Sequence, residues 1–298
     1  MMKKIRILAL GLALSLVLAA CGGAPSGGGQ QTEAPANGPE QTEQSPAPEN
    51  GQGTQAPASR LEQIKQAGKI VVATSADYPP FEYHAIIDGK DTIVGWEMEL
   101  AEAIAKELDV ELEIKEGIFD TLLLDLTTGK ADMVISAMTV TPERLESVDF
   151  SEPYWMTAQS VLIPKASEGS IQSAEDLKGK TIGVQLGTTG EVAAKEIEGA
   201  EVRSYELFEA AVLDLVAGRV QVVVGDYAVV KNYAATRPEL TVAFELTKEE
   251  NAVAFRKDDD ELREAVNEIL ARLEANGTID QLIEKYEVAP PPEAKAEE

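Results

Sequence analysis

An α/β fold in two lobes of like topology, each on a mostly parallel sheet flanked by helices, is what this 298-residue sequence predicts. Three observations predict it. From residue 60 to residue 288, short β-branched runs alternate with helical patterns, the mark of repeated βα units. Residues 123–137 can be laid on residues 212–226, with Leu-Asp-Leu, a helix-ending Gly, a basic residue and a β-branched run coinciding in each. The chain is also long enough for two domains of ordinary size, and 44% apolar residues with few aromatics suit a soluble α/β protein.

The chain opens with a basic Met1 to Arg6 and an apolar run over residues 7–20, interrupted by Gly11 and Ser15. That run is short for a spanning helix and fits an export signal over residues 1–20. Cys21, the single cysteine, closes Leu18-Ala19-Ala20-Cys21, which resembles the bacterial lipoprotein signal whose Cys is lipidated. A lone thiol excludes a disulfide framework within the chain, and lipidation implies a tether to the outer face of a membrane. Residues 22–59 hold no large apolar side chain and read as a disordered linker, its ends about 35 Å apart. No strand precedes Gly27 to Gly29, so they form no phosphate loop. Residues 289–298 read as a second disordered, Pro-rich tail.

The first βα series has a strand over 70–74 and a helix over 97–108 with Met98, Ala101, Ile104, Ala105 and Leu108 on one face. A strand over 110–114, a helix marked by Phe119, Leu122, Leu123 and Leu126, and the buried run Met133-Val134-Ile135 follow, then a strand over 160–164. The second series places strands at 180–184, 202–205, 220–224 and 240–244, with helices from Gly190, over 208–216 and from Tyr227. A strand over 251–255 and helices over 260–275 and 279–286 close the chain.

Candidate chemistry gathers where strands end, the rim at which open α/β sheets bind ligands. After Ile135 the core strand gives way to Ser136, Ala137, Thr139 and Thr141, then Pro142 and Arg144 at a helix start. A guanidinium beside hydroxyls can grip a carboxylate with two prongs; the same Arg144 also suits the surface of a short helix. The repeat puts Ala137 and Asp226 at the same rim position of opposite lobes, and Asp226 fits either a ligand contact or the cap of the helix from Tyr227. Gln185-Leu-Gly187-Thr188-Thr189 is a tight turn into a helix that would suit an anion, with no Lys to make it a nucleotide loop. Tyr78-Pro79-Pro80-Phe81-Glu82 and Gly95-Trp96 put aromatics on loops, as core or as pocket walls.

Other chemistries are poorly supplied. A net charge of −26, three units more negative once Lys3, Lys4 and Arg6 are removed, repels nucleic acid and anionic lipid, so no nucleic-acid partner and no membrane contact beyond the anchor are expected. His84 is the single histidine, which leaves no zinc set and nearly rules out His-dependent triads. Neither metal nor cofactor is expected, and no spacing singles out a catalytic carboxylate pair.

Taken together, the residues resemble family 3 of the extracellular solute-binding proteins, the polar amino-acid receptors of bacterial ABC importers. The resemblance runs from Leu61 to about Tyr286. It rests on Asp77-Tyr-Pro-Pro-Phe-Glu82, the stretch 94–108, Thr139-Val-Thr-Pro-Glu-Arg144, Val148-Asp-Phe-Ser-Glu-Pro-Tyr154, Gly183-Val-Gln-Leu-Gly-Thr-Thr-Gly190 and Asn276-Gly-Thr278. It implies a periplasmic-binding-protein fold of type II: lobe 1 over 60–153 and 252–288, lobe 2 over 159–246, and a two-strand hinge at 154–158 and 247–251. It implies no enzyme but a monomeric lipoprotein that closes on a free amino acid and delivers it to a membrane permease. Arg144 would grip the α-carboxylate, helped by Thr139 and the amides of Thr188 and Thr189. Asp226 and the carbonyl of Ala137 would take the α-ammonium. Tyr78 and Trp96 would sandwich the side chain with Phe81 behind them. Gln185 would bond a polar side chain. Ser75 stands where relatives selective for basic ligands carry Asp, which favours a neutral polar ligand, while Glu82 could serve a basic one. The alternatives are a cyclohexadienyl dehydratase-like enzyme on the same scaffold, with Glu82 or Glu116 as its acid, and a surface sensor or adhesin.

Overall fold

The computed structural model describes residues 58–288; the export signal, Cys21, the linker to residue 57 and the tail from residue 289 lie outside them. The described chain begins with α1 (Arg60–Ala67), held by a reciprocal cap between Ser59 and Glu62 and ended by Gly68 at φ 69°. This helix is absent from the expected elements because it buries only Ile64 and so shows no stripe.

Lobe 1 continues with β1 (Lys69–Thr74), β2 (Asp77–Tyr78), the hairpin β3 (Glu82–Ile87) and β4 (Lys90–Val94), α2 (Trp96–Glu107) and β5 (Glu111–Glu116). A 3-10 turn over Phe119–Thr121 leads to α3 (Leu122–Thr127), β6 (Met133–Val134), α4 (Pro142–Ser147) and β7 (Val148–Phe150). The chain crosses on β8 (Trp155–Thr157). Lobe 2 is β9 (Gln159–Pro164), β10 (Thr181–Gln185), α5 (Thr189–Lys195), β11 (Glu201–Tyr205), α6 (Phe208–Val216), β12 (Val222–Asp226), α7 (Tyr227–Thr236) and β13 (Leu240–Glu245). It returns on β14 (Glu249–Asn251) to β15 (Ala254–Arg256), α8 (Asp260–Ala275) and α9 (Thr278–Lys285).

The two sheets have matching orders, β5-β1-β6-β15-β7 and β11-β10-β12-β9-β13. Each is mixed rather than mostly parallel. The βα crossovers give parallel pairs β1–β5, β1–β6, β10–β11 and β10–β12, whereas the strand reached after each crossing, β9 or β15, pairs antiparallel. For the same reason the expected strand over 251–255 is two short strands in different sheets: β14 pairs with β8, and β15 with β6 and β7.

The β-branched runs follow from burial on both faces. In β12, Val222 and Val224 pack with Val161, Ile163, Ile182 and Val184 on one face, while Val223 and Leu162 join the opposite core with Phe208 and Ala211. In lobe 1, Ile70, Val72, Leu100, Ile104 and Val266 share one core, and Ala73, Leu122, Leu126 and Val134 the other. Each Val, Leu, Ile or Phe among them contributes about 1.5–3 kcal/mol by leaving water. The repeat is visible in three dimensions: α3 and α6 are each followed by a left-handed glycine, Gly129 at φ 75° and Gly218 at φ 70°, which turns the chain into β6 and β12. Among the described residues no helix is long and apolar enough to cross a membrane.

Candidate functional site

The repeated strands β6 and β12 end on a common narrow cavity of about 10 Å³ between the lobes. Ala137 and Asp226, the equivalent rim residues, both line it. Ala137 is held at φ 45°, unusual for a residue with a Cβ, and its amide donates to Glu97 Oε2 at 2.9 Å. Glu97 is fully buried and its other oxygen accepts from Tyr154 Oη at 2.7 Å. Glu82 lies beside it, accepting from Ser136 Oγ at 2.7 Å. Burial and the neighbouring charge of Glu97 push Glu82 well above the carboxylate range, and burial pushes Glu97 to about 7. Two carboxyls this close cannot both ionise, so the pair keeps a proton at neutral pH.

The Asp226 carboxyl makes no cap for α7. It accepts instead from the Gln159 amide, its antiparallel neighbour on β9, and from Asn251 Nδ2 at 3.5 Å. Its own amide donates to Tyr78 Oη of lobe 1 at 2.9 Å. Burial, with the charge of Glu249 added, pushes this carboxyl up to about 8. The cavity-lining Gln159 has its Oε1 buried with no donor among the described residues.

Arg144 enters from α4, whose Thr141 cap accepts from the Arg144 amide at 3.2 Å. Its Nη1 donates to Thr139 O at 2.6 Å and its Nη2 to Gly187 O of lobe 2 at 3.1 Å, which leaves donors of the fork for a ligand. Burial pulls the guanidinium down to about 10, opposed by Glu249 and Asp226, and it stays charged at neutral pH. Thr139, Thr188, Thr189 and Gln185 also line the cavity. Thr188 Oγ1 caps α5 and donates to Gln185 O at 2.8 Å, whereas Thr189 Oγ1 donates to Glu249 at 2.6 Å.

Three expected contacts do not form. Trp96 is wholly buried at the start of α2, 5.6 Å from Phe81 and 5.7 Å from both Tyr154 and Trp155, and does not reach the cavity. Gly95 before it sits at φ 139° with no room for a Cβ against Phe81 O. Ser75 is buried and spends its hydroxyl on Asp77 Oδ1 at 2.9 Å. Glu82, sealed against Ser136 and Glu97, cannot serve a basic ligand. Phe81, wholly buried, packs beside Tyr78 with ring centres 6.2 Å apart and does not line the cavity.

The second aromatic wall is Phe119, with Arg144 5.4 Å above its ring. Also absent from the expected set are Gln159, visible only through its pairing opposite Asp226, and Glu249 on β14. The Glu249 carboxylate accepts from Thr139, Thr189 and Thr247 hydroxyls at 3.0, 2.6 and 2.8 Å. A cationic fork on lobe 1 thus faces two acids, one on lobe 2 and one on the crossing strand. Such a site matches a small molecule carrying both a carboxylate and an ammonium.

Comparison with known proteins gives the chain a family and a set of similar structures. The model of the bacterial extracellular solute-binding proteins, family 3, matches residues 70–289. The L-cystine-binding protein TcyJ of Escherichia coli is 35% identical over 229 residues, 76% of this chain and 85% of the relative. An amino acid ABC transporter substrate-binding protein from Streptococcus pneumoniae, solved with L-arginine bound, superposes with a TM-score of 0.74 at 40% identity, over 77% of this chain and 98% of that one. An ancestral amino acid-binding protein, a precursor of cyclohexadienyl dehydratase, gives 0.72 at 40% identity, over 76% of this chain and 99% of that one.

Proposed function

The chain belongs to the bacterial extracellular solute-binding proteins, family 3, and on that premise we propose that its cleft closes on a free amino acid, matches both charged ends, and hands it to the permease of an ABC importer. Arg144 with Thr139 takes the α-carboxylate. Asp226, Gln159 Oε1 and the Ala137 carbonyl take the α-ammonium. Tyr78 and Phe119, not Trp96, wall the side chain. The single observation that carries this reading is the convergence of Arg144 and Asp226 from opposite lobes on one cavity. Each charge is balanced only when the lobes are shut, so binding drives closure.

The side chain of the ligand meets Gln185, whose amide nitrogen is turned toward Asp77 at 3.2 Å. Its carbonyl oxygen is then the group offered to the cavity, which favours a side chain that donates, as in arginine, citrulline or glutamine. A thermal-shift screen of the twenty amino acids with cystine, ornithine and citrulline tests the assignment, since a tight ligand raises Tm by mass action. Donor side chains are expected to give the largest shifts; a flat response across the panel would overturn the function.

We place the lobe limits at residues 60–153 with 252–288 and at 159–246, supported by the pairing of β8 with β14 at the crossing. Lipidation of Cys21 and work as a monomer complete the proposal. Mass spectrometry of the exported protein checks the first, and release of Cys21→Ser into the medium is its expected consequence.

One observation favours a second reading. Asp226 is a carboxyl held protonated near neutral pH inside the cavity, which is what a dehydratase needs to protonate a leaving hydroxyl. Turnover of prephenate or arogenate would establish that activity, and its absence alongside tight amino-acid binding leaves the transport receptor.

A further inference from the structure

α6 starts without a cap from its own lobe. Leu207 occupies its N-cap position and offers no side-chain acceptor. The first amide of the helix, Phe208 N, donates instead across the cleft to Asp77 Oδ2 of lobe 1. The same carboxylate accepts from Gln185 Nε2, at the end of β10, at 3.2 Å to each oxygen. Ser75 Oγ steadies it from its own lobe at 2.9 Å. Asp77 lies outside the ligand cavity, on a separate groove at the lobe seam that it shares with Pro79, His84, Leu207 and Tyr233. It therefore joins the lobes without itself lining the cavity, although its partner Gln185 does.

We propose that Asp77 is a closure latch: a residue of lobe 1 that caps a helix of lobe 2 only when the lobes are shut, and so sets how often the unliganded protein closes. Helix-terminal amides have no partner within the helix, and a carboxylate there also meets the positive end of the helix dipole. Opening the cleft strips α6 of that acceptor and leaves its first amide to water. A cap of ordinary strength corresponds to about a fivefold change in the closed-to-open ratio. Asn caps about as well as Asp, whereas Ala offers no acceptor.

The experiment follows lobe separation in the full chain without ligand. Cys21→Ser removes the native thiol, and nitroxides at Ile86→Cys and Ala235→Cys, both exposed and on opposite lobes, report distance by double electron–electron resonance. Asp77→Ala is expected to shift the distribution about fivefold toward the long distance, and Asp77→Asn to stay within about twofold of the parent. Leu207→Asp, at a 48% exposed position, gives α6 an acid of its own and sets a like charge against Asp77, so it should open the lobes without disturbing a core. Identical distributions in the parent, Asp77→Ala and Leu207→Asp would overturn the latch. An Asn variant as open as the Ala variant would overturn the capping account. Because no amino acid is present, failure here is distinguishable from failure of the proposed ligand chemistry.

Discussion

Residues 123–137 and 212–226 follow one path twice: helix, left-handed glycine, strand, rim. Their ends nevertheless deliver different groups. Lobe 1 presents the backbone of Ala137, and lobe 2 presents the carboxyl of Asp226. The support differs as well. The Ala137 amide is satisfied within its own lobe by buried Glu97, while the Asp226 amide is satisfied by Tyr78 from the other lobe. One rim is complete as soon as lobe 1 folds; its counterpart is complete only after closure. A repeated scaffold can thus separate a fixed half-site from a conditional one without changing topology.

Breaking the asymmetry directly should cost most. Asp226→Ala, which gives lobe 2 the rim residue of lobe 1, is expected to weaken binding of the amino acid that gives the largest thermal shift by about 3–5 kcal/mol in calorimetry, because the ammonium loses its charged partner. Arg144→Ala should lose a similar amount by stranding the carboxylate. The two supports should then separate by observable. Glu97→Ala leaves the Ala137 amide buried without an acceptor and should lower the stability of the unliganded protein by about 1–3 kcal/mol in urea unfolding. Tyr78→Phe should leave unliganded stability nearly unchanged and weaken affinity by about 1–2 kcal/mol.

Proton linkage sharpens the same contrast. With its carboxyl pushed to about 8, Asp226 carries a proton at pH 7 in the unliganded state, and a bound ammonium favours the ionised form. Binding should therefore release close to one proton, read from calorimetry in buffers of different ionisation enthalpy, and affinity should rise with pH up to about 8. On lobe 1, Glu97 is raised from 4.5 to about 7, so the folded state holds more protons than the unfolded state between those values. Stability is full below pH 4.5 and is lost as pH rises through 7, whether or not ligand is present. The smallest effect is expected from Phe119→Leu, about 0.5–1 kcal/mol of affinity, which removes the ring under Arg144.

Much of this was legible in the chain. Periodicity marked the strands and helices, and the internal repeat paired Ala137 with Asp226 before any coordinates did. Residues near the end of one strand or turn, such as Thr139, Arg144, Gln185, Thr188 and Thr189, lie together on the cavity wall, because local sequence sets where a strand stops. Trp96 was misplaced because a loop aromatic and a core aromatic look alike in sequence; its packing against Phe81, Tyr154 and Trp155 shows it to be core. Phe119 was hidden in the stripe of Leu122, Leu123 and Leu126, yet it belongs to a 3-10 turn ahead of α3 and faces the cleft. Gln159 and Glu249 owe their places to strands that meet only because the chain crosses between lobes, a long-range fact that periodicity does not encode.

Glu249 lies on β14, the strand by which the chain returns from one sheet to the other, and its carboxylate bonds two hydroxyls of the cavity wall. One side chain therefore ties the connection between the lobes to the surface of the cleft, and a charge placed in the cavity acts on both together.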